Sequence, residues 1–133
     1  MTFVLVDTSV WVDHFRNKNE MLIALLLRDS AVIHPLIIGE LACGTPPERR
    51  NTLRYLKGLG YVQQASLEET MDFVERESLF GLGCGLVDLL LVASTLITQN
   101  TRLWTLDKRL TGIAQRFGVN FQPVSNAWPP AGN

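Results

Sequence analysis

Short apolar stretches alternate with longer amphipathic ones along the chain. Residues 2–6 (TFVLV) are apolar and β-branched and stop at Asp7-Thr8-Ser9. This predicts a buried strand, then a helix capped by Thr8 or Ser9 and holding Val10, Trp11 and Phe15. Residues 17–19 are a polar break. Residues 20–28 place Met21, Leu22, Leu25 and Leu26 at helical spacing, and residues 31–34 predict a second strand. Pro35 suits the first turn of a helix, where its fixed φ fits and its missing N–H is not needed. That helix carries Ile37, Ile38 and Leu41 and stops at Gly44. Pro46-Pro47 opens another, with Arg50, Arg54 and Lys57 on one face, and a short extended piece follows Gly60.

Residues 67–80 predict an acidic amphipathic helix with Met71, Val74, Leu79 and Phe80 as its core stripe. Gly81 to Gly85 form a glycine-rich connector. Residues 86–98 are a strongly apolar helix, and residues 102–106 a third strand that ends at Asp107. Residues 108–117 form a helix closed by Gly118, and residues 119–121 suggest a fourth strand. The tail, about 124–133, contains Pro129-Pro130 and is expected to be loosely held. Apolar strands alternating with helices indicate an α/β fold, a parallel sheet of four or five strands covered on both faces. No repeat or linker interrupts the pattern, so residues 1–133 read as a single domain.

Composition narrows the class. The 133 residues are 47% hydrophobic, with three Trp and six Phe, enough for a core without disulfides. The net charge of −1 excludes both disorder driven by charge and a protein held on nucleic acid by bulk charge alone. Apolar runs such as Leu22 to Leu27 fall far short of the roughly 20 residues that span a bilayer. The first residues lack a basic leader and carry Asp7, which makes them a poor signal peptide and the cytoplasm the expected compartment. There Cys43 and Cys84 are expected as reduced thiols. With His34, they are expected in structural rather than zinc-binding roles.

Four acids do not have an easy solvent-facing explanation. Asp7 and Asp107 follow predicted strands, at the carboxyl edge where parallel α/β sheets carry their sites. Glu40 and Asp88 sit inside apolar segments, LIIGELA and LVDLLLVA. Capping accounts for Asp7 and Asp107 individually, and the helix dipole accounts for Asp88. Glu40 is a weak cap with core-like neighbours. Burying unpaired carboxylates costs several kcal/mol each, so a shared cation explains all four more simply than four independent accidents. Mg²⁺ or Mn²⁺ prefers oxygen ligands, and such a site suits hydrolysis of a phosphodiester. Thr8, Ser9 and Thr105 lie beside the acids, either to orient a ligand or as caps. Lys108 and Arg109, next to Asp107, are candidates to hold phosphates, with Arg102 nearby. Arg50, Arg54 and Lys57 fit that role or a solvated helix face equally well. Trp104 is expected in the core rather than stacked on a base.

In order and spacing, Val4-Leu-Val-Asp7-Thr-Ser-Val-Trp, Ile38-Gly-Glu40-Leu-Ala-Cys-Gly44, Val87-Asp88-Leu-Leu-Leu-Val-Ala and Leu103-Trp-Thr-Leu-Asp107-Lys-Arg-Leu resemble the PIN-domain ribonucleases. Within them they resemble the VapC toxins of bacterial toxin–antitoxin pairs. Each motif alone is weak; the four together cover nearly the whole chain. The resemblance implies a PIN-like three-layer α/β/α sandwich and a Mg²⁺- or Mn²⁺-dependent endoribonuclease acting on RNA. It implies Asp7, Glu40, Asp88 and Asp107 as the acidic cluster, with Asp7 and Asp88 foremost at the metal and Thr105 as a polar accessory. It also implies a homodimer inhibited by a cognate antitoxin that enters a groove lined by helices near residues 10–60. Some relatives carry a further acid shortly after the Asp107 position, where Lys108, Arg109 and Leu110 stand here. A haloacid-dehalogenase-type phosphatase would need an Asp at Ser9, and a dinucleotide-binding domain would need its glycine turn after a strand. The other reading in play is a non-catalytic PIN-like module that binds RNA or protein.

Overall fold

The computed structural model describes residues 1–123; the expected loose tail, 124–133, lies outside the described residues. Four strands form one sheet: β1 (Phe3–Val6), β2 (Ala31–Ile33), β3 (Gly60–Tyr61) and β4 (Thr101–Trp104). Their order is β3-β2-β1-β4, and every pairing is parallel. Among the described residues seven helices accompany them: α1 (Thr8–Asn17), α2 (Glu20–Leu27), α3 (Pro35–Ala42), α4 (Arg49–Lys57), α5 (Leu67–Arg76), α6 (Leu86–Leu96) and α7 (Lys108–Arg116). This is the α/β sandwich expected from the alternation of elements. None of these helices is long and apolar enough to cross a membrane.

β1 lies between β2 and β4, and successive side chains on both of its faces are covered. Val4, Leu5 and Val6 are all buried, as are Ala31 to Ile33 in β2. A continuous apolar run, rather than an alternating one, is the signature of a parallel strand covered on both sides. The register Phe3↔Thr101 through Val6↔Trp104 carries β1 and β4 to the same edge together. The Asp7 N–H extends that pairing one step by donating to the Trp104 carbonyl at 2.9 Å. Side-chain caps then start the following helices at defined points. Asn19 Oδ1 accepts from Leu22 N, and His34 Nδ1 accepts from Leu36 N, each at 3.0 Å. Burial lowers the pKa of His34, which favours the neutral imidazole that this acceptor role needs. The histidine is thus structural, as expected.

Three elements depart from the pattern read in the sequence. The fourth strand is the Gly60–Tyr61 piece rather than residues 119–121, which make only one bridge, Leu103↔Asn120. Leu103 N donates to Val119 O, and Phe121 N donates to Leu103 O. The next donor along that edge would be residue 123, a proline without an N–H, so the ladder stops. Second, α5 ends at Arg76, and Ser78 takes a left-handed φ of 55° soon after. Its capping box, Ser66 with Glu69, fixes its start, and Thr70 and Phe73 face inward. Met71 and Phe80, expected in the core, are 55% and 63% exposed, while Leu79 is buried. Third, α4 begins at Arg49, after Glu48 in a left-handed turn, rather than at Pro46-Pro47. Trp104 packs in the core against Phe121, with ring centroids 5.4 Å apart, as expected of a core residue.

These burial differences predict opposite outcomes for two apolar truncations. Leu5→Ala, at a fully buried position of the central strand, should cost about 2–5 kcal/mol in urea melts. Met71→Ser should change stability by less than about 0.5 kcal/mol. A substantial loss at Met71 would contradict the observed phase of α5.

Candidate active site

The carboxyl ends of β1 and β4 meet at Asp7, which is 7% exposed. Asp7, not Thr8 or Ser9, is the N-cap of α1. Its Oδ2 accepts from Ser9 Oγ at 2.8 Å and from Thr105 Oγ1 at 2.8 Å, with Ser9 N more distant at 3.4 Å. The two hydroxyl oxygens are 3.3 Å apart and also accept backbone N–H groups. Leu106 N donates to Ser9 Oγ at 3.0 Å, and Asp107 N donates to Thr105 Oγ1 at 3.1 Å. One buried carboxylate therefore organises the loop from β4 to α7 through two hydroxyl relays. Asp7 Oδ1 has no hydrogen-bond partner among the described residues.

Asp107 stands three residues beyond β4 rather than directly after it, and is exposed. Its Oδ1 caps α7 by accepting from Arg109 N at 2.8 Å and Leu110 N at 3.2 Å. Glu40 is also exposed, contrary to the core-like setting expected for it. Ile37, Ile38 and Leu41 turn the apolar stripe of α3 inward, which leaves Gly39 and Glu40 on the outer face. There Glu40 Oε1 accepts from Thr8 Oγ1 at 2.7 Å, linking α3 to the start of α1. Asp88 lies in the first turn of α6 and is half-buried.

The four acids act on one another through space. Asp88 is held above its ordinary pKa, first by burial and then by the charges of Asp7, Asp107 and Glu40, against a lowering hydrogen bond with Gly85. The structure thus places all three other predicted acids within electrostatic reach of Asp88. They do not form a tight cage. Among the described residues, no three His, Cys, Asp or Glu side chains are grouped so as to hold an ion by themselves. Hydroxyl or backbone donors hold one oxygen each of Asp7, Glu40 and Asp107. The donor set is all oxygen. It fits an open site for a hard cation that keeps waters and uses a few carboxylates, not an all-protein cage.

Around this cleft, Lys108 and Arg109 are exposed beside Asp107. Arg102, considered with them, instead donates to the carbonyls of Gly118 at 3.2 Å and Asn120 at 3.3 Å, fastening the 119–121 segment. Arg50, Arg54 and Lys57 lie on the exposed side of α4. Sequence reasoning assigned Cys84 only a structural role, yet its thiol feels Asp88 and Asp107. Burial and those two charges raise its pKa against the opposing pull of Arg109, so it is a poor nucleophile. A groove of about 400 Å³ lies beside Glu40, lined by residues that include Val12, Phe15, Arg16, Leu41 and Pro46, within the stretch of residues 10–60 where the resemblance implied one.

An oxygen-rich acidic cluster at the carboxyl edge of an all-parallel α/β sheet is the architecture of a PIN-type nuclease. No protein-family model matches the chain. Two curated proteins do: Ribonuclease VapC32 of Mycobacterium tuberculosis strain CDC 1551 / Oshkosh, and Ribonuclease VapC32 of strain ATCC 25618 / H37Rv. Each is 40% identical over 116 residues, which span 87% of this chain and 94% of the relative. The chain belongs to the VapC family of PIN ribonucleases.

The electrostatics of Asp88 give a signed prediction. A carboxyl whose pKa is raised by folding favours the folded state below its unfolded value near 3.8, and that contribution is lost as pH rises through the raised value. In EDTA at neutral pH, Asp88→Asn should therefore melt at or above the wild-type temperature, and the gap should close as pH falls toward 3.8. A clearly lower melting temperature at neutral pH would show that Asp88 is a structural support.

Proposed function

We propose that the chain is the ribonuclease toxin of a toxin–antitoxin pair: a Mg²⁺- or Mn²⁺-dependent endoribonuclease, acting in the cytoplasm as a single domain and restrained by a cognate antitoxin. The observation that carries this reading is the acidic cluster at the carboxyl edge of the sheet, where the β1–β4 register brings Asp7 to Thr105, Thr8 ties Glu40 to the start of α1, and the charges of Asp7, Glu40 and Asp107 all act on Asp88. Asp7 and Asp88 would hold the divalent ion, with Glu40 and Asp107 completing the acidic rim. When bound, the ion supplies the positive charge that quenches the carboxylates and the polarisation that hydrolysis of a phosphodiester needs. Ser9 and Thr105 fix the orientation of Asp7, so its free oxygen has one direction in which to act. Thr8 does the same for Glu40. Lys108 and Arg109 present positive charge to RNA phosphates at the same rim.

The groove beside Glu40 suits the antitoxin segment, since its Val12, Phe15, Leu41, Pro46 and Pro47 offer apolar contacts and Arg16 a charged one. Occupation of that groove would crowd Glu40 and Thr8 directly. The homodimer implied by the family resemblance belongs to the same proposal, and exposed Phe80, Leu82 and Leu86 supply apolar surface for a second copy. Asp7 and Asp107 also serve as helix caps, a role that a non-catalytic RNA-binding module would equally need.

Cleavage by antitoxin-free protein separates the two. RNA should be cut with Mg²⁺ or Mn²⁺ and not in EDTA, and Asp7→Asn or Asp88→Asn should abolish cutting while circular dichroism stays unchanged. Thr105→Val, which removes the hydroxyl that orients Asp7, should lower activity roughly 10–100-fold. Full activity in Asp7→Asn, or none in the wild-type protein with either metal, would contradict the nuclease reading.

A further inference from the structure

The connector between α5 and α6 contains two glycines in the left-handed region, Gly81 with φ 74° and Gly83 with φ 86°. Their surroundings differ. A Cβ on Gly81 would meet open space. A Cβ on Gly83 would stand 2.8 Å from Arg109 Cδ, 2.9 Å from Nη1 and 3.1 Å from Nε. The Arg109 side chain therefore lies flush against the backbone of Gly83 along its outer length. Real Cβ atoms do not approach so closely, so any larger residue at 83 would move the arginine.

Arg109 is otherwise uncommitted. Among the described residues its guanidinium has no ion-pair partner, although Asp107 is two residues away and its charge reaches Cys84 together with those of Asp88 and Asp107. A planar fork of donors, held in place and with no protein acceptor, is prepared for the oxygens of a phosphate. Resting the side chain on a glycine backbone removes rotamer freedom before RNA arrives, which is how preorganisation strengthens binding. Among the described residues, no glycine stands in such close contact with the neighbouring Lys108 side chain.

We infer that Gly83 is a positioning residue, whose missing side chain lets Arg109 lie at the rim of the acidic cleft and grip a backbone phosphate of the RNA. The inference rests on the nuclease reading above and assigns the glycine connector a part in substrate binding. Gly83 touches no substrate; it acts through Arg109.

The test measures binding of a fluorescein-labelled single-stranded RNA of mixed sequence by anisotropy, in EDTA and across a range of salt. Arg109→Ala should weaken binding about tenfold, in line with loss of a charged hydrogen bond. It should also reduce the slope of log affinity against log salt by about 0.7, the share of one phosphate contact. Gly83→Ala should follow it in both respects, while Gly81→Ala, with similar backbone strain and no neighbour, should bind as wild type. Combining Gly83→Ala with Arg109→Ala should add no further loss. Arg109→Lys, which leaves the connector untouched, should keep the salt slope and lose about threefold in affinity, because charge survives without the fork. Equal losses in Gly83→Ala and Gly81→Ala, further loss in the double variant, or wild-type affinity in Arg109→Ala would overturn the inference while leaving the nuclease reading intact. Wild-type protein that neither binds this RNA nor cuts it with Mn²⁺ would overturn both.

Discussion

Carboxylates that share a cleft repel one another, and a fold that gathers them must supply compensating donors or a cation. At the carboxyl edge of this sheet hydroxyl and backbone donors meet part of that need. Asp7, the most buried of the four acids, takes hydrogen bonds from two hydroxyls that are themselves anchored to the backbone after β4. Asp107 spends one oxygen on the start of α7, and Glu40 spends one on Thr8. Asp88 has only the hydrogen bond with Gly85 to offset its burial and its neighbours' charges, so it absorbs the residual repulsion as a raised proton affinity. Local donors orient the acids; in the proposed nuclease, neutralising the cluster as a whole is left to an ion.

The sheet makes this arrangement possible. Because β1 is central and pairs in register with β4, Asp7 and Thr105, 98 residues apart in sequence, reach one hydrogen bond. The apolar run Val4 to Val6 is thus part of the site's construction. Its burial fixes the direction in which the chain delivers Asp7. The hydroxyls of Ser9 and Thr105 then convert that delivery into a defined orientation for one oxygen. In the proposed nuclease, a site open on one side would take waters and substrate as its remaining ligands, the form expected for Mg²⁺ or Mn²⁺ rather than for a tightly caged structural ion.

Much of this was legible in the sequence because strand ends, apolar runs and proline starts are local signals. The four acids stood out because each lay at a predicted strand end or inside an apolar segment. The errors came from properties that depend on phase and on distant partners. Met71 and Phe80 looked like core because they are apolar, but α5 turns Thr70 and Phe73 inward in place of Met71, and Phe80 lies beyond the end of the helix at Arg76. Glu40 looked buried because its neighbours are apolar, yet helical geometry turns it outward. Residues 119–121 looked like a strand, and only the position of Pro123 on the pairing edge shows why they make a single bridge. The contact of Gly83 with Arg109 joins two segments whose proximity no local pattern announces.

The central claim is that the carboxyl edge of the sheet converges on one divalent ion. Anomalous diffraction from crystals grown with Mn²⁺ addresses it most directly. The account predicts a peak within direct coordinating distance of the Asp7 and Asp88 carboxylates, with waters filling the remaining positions. A protein that cuts RNA with Mn²⁺ but shows its only ordered ion away from Asp7 and Asp88 would contradict it.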